Sequence, residues 1–240
     1  MPGARTQRVV GGLDGCPGGW VLATVPVDNA KAEFEISVLH SLEPVLGELA
    51  AGRMVCAAID IPIGLSDREP RSCDVAARRA LGPRRSSVFP APARAVLGAS
   101  SYAEACALSR RACGKGVSKQ LYNILDKIRT VDAVQTPRLQ DRLFEMSPEL
   151  SFAELTGRPM AANKRTTEGR AARLQALTSP SAFGKAMSGI FDGTPPVGAK
   201  WDDVVDALIG AWTARRYAAG HHRRLGGDVD ARGLRMEIIA

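Results

Sequence analysis

The sequence contains very little histidine. The only three are His40, His221 and His222, so no imidazole lies between residues 41 and 220. This absence argues against Ser-His-Asp and Cys-His catalysis and against His-rich zinc sites. If the chain is an enzyme, we expect its chemistry to rest on carboxylates.

Cysteine pairs with the spacing of a metal site are also lacking. The five cysteines are odd in number and form no C-x-x-C pair, which argues against a disulfide framework or a zinc ribbon. We expect reduced thiols, most of them buried.

Long apolar runs and aromatic residues are scarce as well. No run reaches the roughly 20 apolar residues that a membrane-spanning helix needs, and the N-terminus MPGARTQRVV has no apolar signal-peptide core. We therefore predict a soluble cytoplasmic protein with no membrane partner. Aromatic residues make up 5% of the chain, which argues against the extensive base stacking of single-strand binders.

Positive charge, in contrast, is in excess. Lys and Arg number 32 against 25 Asp and Glu, a formal net charge of +7. This balance favours a polyanionic partner, with RNA or DNA as the expectation. The alternative is that an Arg-rich, Ala-rich composition reflects a GC-rich genome.

The order of apolar segments predicts an α/β fold. Residues 8–14, 19–26 and 34–39 read as strands of an antiparallel meander. Residues 43–51 read as a helix, and the continuous apolar run 54–65 as a strand covered on both faces. With a further strand near 142, these segments predict a mixed five-stranded sheet flanked by helices.

The Arg-rich block at about 66–140 predicts a helical insertion after the fourth strand of a single domain spanning 1–240. Its hydrophobic content is thin for an independent core. A short helix is expected after Pro148, and residues 234–239 as an edge strand or packed on the core. The other predicted helices are 72–82 with Ser72 as N-cap, 102–112, 118–132 with Ser118 as N-cap, 163–177, about 180–190, and 201–219 with apolar residues along one face.

Four acids fall where such a fold can bring them together. Asp14 ends the first strand, Asp60 lies late in the buried fourth strand, and Asp203 and Asp206 share one side of the last long helix. Crowded carboxylates repel unless a cation intervenes, and Mg²⁺ or Mn²⁺ prefers oxygen ligands. The pattern predicts a divalent-metal site of the kind that hydrolyses phosphodiesters.

Each acid also has a structural alternative. An Asp after a strand is often a turn former or a helix cap, and Asp203 suits the positive start of its own helix. Asp60 could form a buried ion pair with one of the arginines. The glycines after Asp14 have two interpretations: room for substrate to approach, or a hairpin turn that needs positive φ.

Several segments together resemble a known family. The final helix DVVDALIGAWTA (203–214) is similar to that of RuvC-type Holliday-junction resolvases. The chain as a whole resembles a family of predicted RNase H-like nucleases that is classed as a domain of unknown function. The segments that carry the resemblance are DGCPGGWV (14–21), DIPIGL (60–65), RSCDVAARRALGPRRSSVFPAP (71–92), GVSKQLYNILDKI (116–128), FEMSPELSF (144–152), NKRTTEGRAARLQAL (163–177) and DDVVDAL (202–208).

The resemblance implies an RNase H-like fold and a catalytic, metal-binding role for Asp14, Asp60, Asp203 and Asp206. It adds Glu145 as a fifth catalytic acid, which in the family opens a Glu-x-x-Pro-Glu stretch. Here Met146-Ser147 replaces the usual Val-His, so no imidazole is expected at that place.

Basic and polar residues supply candidates for substrate binding. Arginine suits phosphate through its forked donors, and a helix start binds anions through its N–H groups. The structural alternative is that the arginines pack on helices and pair with Asp74 or Glu69. The candidates are Arg71, Arg78, Arg84, Arg85 and Arg94, the helix start at Ser118, Lys119 and Gln120, and Lys164 with Arg165.

Three functions remain open from the sequence. The first is a metal-dependent nuclease. The second is a protein that binds or hydrolyses a nucleotide or small phosphorylated ligand, although GKGVSK (114–119) lacks phosphate-loop spacing. The third is a non-catalytic nucleic-acid or protein-binding module.

Overall fold

A computed structural model describes residues 7–28, 34–68, 70–187, 191 and 193–240. The chain divides into two compact units. Unit 1 comprises Met1–Asp60, Met146–His222 and Ala240, and unit 2 comprises Ile61–Glu145 and Arg223–Ile239. The expected insertion at about 66–140 falls within unit 2. Glu69 and residues 188–190 and 192 lie outside the described residues, so the predicted helix near 180–190 is described only as a short 3₁₀ turn at Gly184–Met187.

The elements follow the predicted order closely. The N-terminal part forms β1 (Val9–Cys16), β2 (Gly19–Pro26), β3 (Glu35–Leu39), α1 (Glu43–Ala50) and β4 (Met54–Ile59). The middle part forms α2 (Ser72–Leu81), α3 (Tyr102–Cys113), α4 (Lys119–Asn123), α5 (Leu125–Val134) and β5 (Leu143–Glu145). The remainder forms α6 (Pro148–Thr156), α7 (Thr167–Leu177), α8 (Trp201–Ala218), β6 (Arg224–Val229) and β7 (Arg235–Ile239).

The main sheet is mixed and five-stranded, in the order β3-β2-β1-β4-β5. β1 pairs antiparallel with β2, and β2 with β3, whereas β1 and β4 run parallel. The prediction of an α/β fold with a mixed five-stranded sheet flanked by helices is confirmed. The apolar run of β4 suits its interior position in this sheet.

The structure corrects four details. β4 ends at Ile59 rather than 65, just before Asp60 and the N–H-lacking Pro62. The predicted helix 118–132 is interrupted at Ile124. Ser72 is not a cap, because its hydroxyl donates instead to Asp228. The 234–239 segment is not an edge strand of the main sheet, because β7 pairs antiparallel with β6 in a separate two-stranded sheet, where Ile238 and Ile239 are buried.

The organising contact of unit 1 is between α8 and the sheet. α8 packs on β1, β2 and β4, and α6 and α7 pack against α8. The sequence predicts one apolar face for this helix, but every residue from 204 to 214 is buried. A helix buried on all sides belongs in the middle of a core.

Two glycines allow α8 to approach β1 at backbone distance. A Cβ on Gly12 would lie 2.0 Å from the carbonyl oxygen of Ala207 and 2.1 Å from the nitrogen of Ala211. On the facing helix, a Cβ on Gly210 would lie 3.1 Å from the Cα of Gly12. Neither contact leaves room for a larger residue, so this pair fixes where the helix sits on the strand.

The glycine contact also sets the register of the acids. Asp14 is two residues beyond Gly12, on the same face of its strand, and Asp206 is four residues before Gly210, on the same side of its helix. These steps span about 6.6 Å along a strand and about 6.0 Å along a helix. The packing that joins the glycines therefore brings Asp14 and Asp206 to the same level.

No helix among the described residues combines the length and apolar character needed to cross a bilayer.

We expect Gly12→Ala to destabilise the protein by at least about 3 kcal/mol, because the new methyl group would overlap helix backbone that cannot move aside. The matched control is Gly47→Ala in α1, where nothing lies within 4 Å of the added Cβ. That control is expected to stabilise by about 0.5–1 kcal/mol. Urea unfolding measures both variants, and equal stabilities would contradict the assigned contact.

Candidate functional site

Asp14 and Asp60 are neighbours on adjacent parallel strands. Leu13 pairs with Ile59, and the Asp60 N–H donates to the Leu13 carbonyl at 3.1 Å, so the two acids occupy the next positions along β1 and just beyond β4. Carboxyl ends of parallel strands are where α/β folds place ligand sites. The pairing of β1 with β4 therefore places these two acids side by side at this end of the sheet.

Asp206 joins this edge from α8. It is only 1% exposed, and its Oδ1 is buried with no hydrogen-bond donor among the described residues. Burial of a carboxylate oxygen without a donor is costly, so the arrangement points to a ligand or proton at that atom.

The electrostatics of Asp14 show that the acids lie within reach of one another. Burial raises the pKa of Asp14 well above its ordinary value, and the negative charges of Asp206 and Asp60 raise it further, with a smaller contribution from Asp203. Lys164 acts in the opposite direction. Four acids from three elements therefore share one electrostatic site, which we call the acid cluster.

Asp203 has a structural task as well. Its Oδ2 accepts the backbone N–H of Lys200 at 2.8 Å, which caps the start of α8. Helix capping is the structural alternative that the position of Asp203 at the helix start indicates. Asp203 is half-buried, and burial raises its pKa.

Lys164 is the one substrate-binding candidate that lies in the acid cluster. Its Nζ is 2.5 Å from Oδ2 of Asp206, and the charges of Asp60 and Asp14 also act on it. The Asp206 carboxylate is the largest cause of a pKa of Lys164 raised above its ordinary value. The ammonium is thus held in its charged form.

A tightly built turn before α7 positions Lys164. The Thr166 hydroxyl accepts the Gly169 N–H at 3.0 Å and donates to the Asn163 carbonyl at 2.9 Å. A Cβ on Gly169 would lie 1.9 Å from that carbonyl oxygen, so only glycine fits. Lys164 therefore projects from a fixed turn.

Arg173 and Glu149 support this turn, and sequence reasoning missed both. Arg173 is 1% exposed and donates to the carbonyls of Ala162 and Gly169 and to Oε1 of Glu149. Both charges act on Asp206, Glu149 raising its pKa and Arg173 lowering it. The helical spacing of the sequence could have identified Arg173 as buried, because it lies on the same face of α7 as Gly169, Ala176 and Leu177.

The glycine turn after Asp14 is packed against other backbone. A Cβ on Gly19, whose φ is +130°, would lie 2.1 Å from the Leu39 carbonyl oxygen, and Gly18 donates its N–H to Gly198. The expectation that these glycines leave room for substrate is replaced by the hairpin alternative. Gly19 is required by its positive φ, and Gly18 by the close approach of Gly198.

Glu145 and Arg71 lie together in unit 2 as a buried ion pair. Two nitrogens of Arg71 donate to the two oxygens of Glu145 at 2.6 and 2.7 Å, and the same guanidinium makes two bonds to Asp74. Arg71 also donates to the carbonyls of Ile63 and Gly64. Burial raises the pKa of Glu145 to about 7, although Arg71 opposes that shift.

These contacts match the structural alternative for Arg71. The residue is 3% exposed, so it offers no donor to a ligand at the surface in this structure. The Glu145 carboxylate likewise accepts hydrogen bonds from Arg71 and from the Ile63 N–H.

The other basic candidates also lie in unit 2. Arg78 donates to the carbonyls of Arg85 and Val88, and Arg94 pairs with Asp132 and Asp230, so both support loops. Ser118 caps α4 as predicted, and Lys119 lies over the rings of Tyr102 and Tyr122. Arg84 is half-buried, whereas Arg85, Gln120 and, in unit 1, Arg165 are exposed.

The acid cluster fits a hard divalent cation by donor type and charge. All four acids offer carboxylate oxygen, and Asp206 has an orphaned buried oxygen. The cluster matches such an ion in donor type but not in geometry, because within the described part of the chain no group of three or more His, Cys, Asp or Glu side chains is arranged to hold an ion.

We expect Asp14→Asn to stabilise the metal-free protein by about 0.5–2 kcal/mol at pH 8, because it removes a charge that burial and its neighbours disfavour. A raised pKa means that the folded state binds the proton more tightly than the unfolded state. The gain should therefore shrink as pH falls through the raised pKa of Asp14. Thermal melts in chelator measure it, with the exposed Asp67→Asn as control. A constant gain across pH would contradict the assigned repulsion.

Arg71→Met is expected to destabilise the protein by about 3–5 kcal/mol, because it leaves Asp74 and Glu145 buried without their cation. The control Arg85→Met removes an exposed arginine and should change stability by less than about 0.5 kcal/mol. Denaturant unfolding compares the two. Normal stability of Arg71→Met would point back to a substrate-binding role.

Comparison with known proteins identifies a family and nothing more specific. No curated protein and no solved structure matches the chain. Residues 12–231 match the family described as "Protein of unknown function (DUF429)". That range includes Asp14, Asp60, Lys164 and Asp206. The match covers most of the sequence, and the chain therefore belongs to the DUF429 family.

Proposed function

We propose that the protein is a divalent-metal-dependent phosphodiester hydrolase that acts on nucleic acid. Two observations carry this proposal: the charges of Asp60 and Asp206 act on Asp14, and Oδ1 of Asp206 is buried and lacks a donor among the described residues. Three different elements contribute these acids, which is difficult to explain as local turn or cap chemistry.

The fold supports an RNase H-like interpretation. An antiparallel meander of three strands, a helix, a parallel fourth strand beside the first, and a late helix across them are the features that the sequence resemblance implies. The acids lie on the first strand, after the fourth strand and on the late helix. The Asp203–Asp206 pair on α8 supports the finer likeness to RuvC-type resolvases.

The proposed cofactor is Mg²⁺ or Mn²⁺, held by Asp14, Asp60 and Asp206, with Asp203 at the start of α8. Bound there, such an ion would activate water and stabilise the leaving oxygen of a phosphodiester. Asp203 also caps α8, because its Oδ2 accepts the Lys200 N–H.

The protein's own residues hold and charge this site. The Gly12–Gly210 contact sets the distance between strand and helix, and Glu149 with Arg173 anchors the turn that carries Lys164. The Lys164 ammonium is a cation beside the acids that suits a phosphate oxygen of the substrate. The net charge of +7 favours RNA or DNA as that substrate.

We expect Asp60→Asn and Asp206→Asn to lower Mn²⁺-dependent cleavage at least about 100-fold, because each loses a metal-ligating charge. The control is Asp202→Asn on the same turn of α8, where the carboxylate is 3.7 Å from Arg170. This control should keep its activity. Circular dichroism checks that all three variants are folded.

The assay uses single-stranded and duplex DNA, RNA, an RNA–DNA hybrid and a four-way junction, with ATP as a small phosphorylated substrate. Turnover of ATP alone would favour the nucleotide alternative. Salt-sensitive binding without turnover would favour a non-catalytic module. Cleavage that survives in both Asp variants would contradict the site.

A further inference from the structure

Lys164 occupies a place in the acid cluster that is unusual for a substrate-binding lysine. Its ammonium contacts Asp206, which is almost completely buried, while the Lys164 side chain itself is 38% exposed. The contact therefore lies on the solvent side of Asp206.

The lysine is built into this place. Arg173, Thr166 and Gly169 fix the turn from which it projects. Fixing the backbone reduces the entropy that Lys164 loses when it pairs, which favours the contact. An exposed lysine on a loose loop would gain little from one ion pair.

The Lys164 ammonium contacts one oxygen of Asp206, Oδ2. The second oxygen of Asp206 is still without a donor among the described residues. A divalent ion would supply more charge and more coordination at the same carboxylate than the lysine does.

We propose that Lys164 is the resident counter-cation of the acid cluster, and that a divalent ion binds by displacing its ammonium from Asp206. This inference rests on the proposed function of the same site. Lys164 keeps Asp14, Asp60 and Asp206 together without metal, and metal affinity is lowered by the contact that must break. The released ammonium stays tethered to the turn before α7 and is free to meet an anionic oxygen of the substrate.

The proposal gives Lys164 two opposite effects. Removing the ammonium should tighten metal binding, because the ion no longer competes for Asp206. The same change should slow cleavage, because the substrate loses a cation. A lysine that served only the substrate would leave metal affinity unchanged, and a purely structural lysine would not improve it.

Mn²⁺ binding by calorimetry at pH 8 tests the first effect. We expect Lys164→Met to lower the Kd for Mn²⁺ by at least about tenfold relative to the unaltered protein. The matched control is Arg165→Met, which removes the same charge from an exposed neighbour on the same turn. This control should change the Kd by less than about threefold, because exposed charges are screened.

The outcomes separate the inference from the proposed function. If the unaltered protein binds Mn²⁺ and Lys164→Met binds it no more tightly, the displacement is overturned and the metal site stands. Tighter binding by Lys164→Met and Arg165→Met alike would also overturn it, since the effect would be general electrostatics. If no variant binds Mn²⁺, both proposals fail.

A measurement on the unaltered protein covers the case in which Lys164→Met does not fold. The Nζ resonance of Lys164, assigned by its loss in Lys164→Arg, should show the protected ammonium of an ion pair in metal-free protein. Saturating Mg²⁺ should shift it to the position of a solvated lysine. An unchanged resonance at saturating Mg²⁺ would overturn the displacement.

Discussion

The contact of α8 with β1 through Gly12 and Gly210 is the constraint on which the site depends. Backbone lies against backbone there, and no side chain can adjust the spacing. Every acid of the cluster is placed relative to this contact: Asp14 along the strand, Asp203 and Asp206 along the helix, and Asp60 through the pairing of β4 with β1. Two residues without side chains, Gly12 and Gly210, thus fix the positions of the acids.

Two clusters of acids and cations in this chain show how the same ingredients serve different ends. Around Arg71, five guanidinium donors meet two carboxylates and two carbonyls, and little bonding capacity is left. Around Asp206, the Lys164 ammonium contacts one oxygen, and the other oxygen is buried without a donor among the residues that the structure describes. A saturated network rigidifies a fold, whereas an unsaturated one retains affinity for something more.

The sequence predicted the acid cluster because its logic is topological. Asp14 lies in β1 and Asp60 follows β4, two strands whose apolar character is evident, so the strand order brings these two acids together. Asp206 lies on a helix with clear periodicity, and the packing of that helix on β1 adds it. Arg71 and Glu145 were harder to assign, since a buried pair and a surface site use the same residue types. Only burial and hydrogen-bond partners distinguish the two.

The partners of Lys164 could not be predicted for a related reason. Arg173 and Glu149 belong to different helices, and their pairing depends on how α6 and α7 meet on α8 rather than on any local pattern. The need for glycine at position 169 likewise depends on the turn, because a Cβ there would lie 1.9 Å from the Asn163 carbonyl oxygen. No residue propensity describes that contact. The sequence therefore predicts which residues are charged and in what order the strands and helices follow, but not which charges neutralise one another.

The complete burial of α8 from residue 204 to 214 has a consequence for biosynthesis. This helix is the central filling of unit 1, yet more than four-fifths of the chain precedes it. While the ribosome is still making those earlier residues, the apolar face that α8 will cover on β1, β2 and β4 has no partner. Unit 1 must therefore reach its native core late in translation, and its nascent sheet is a natural client for chaperones until α8 has emerged.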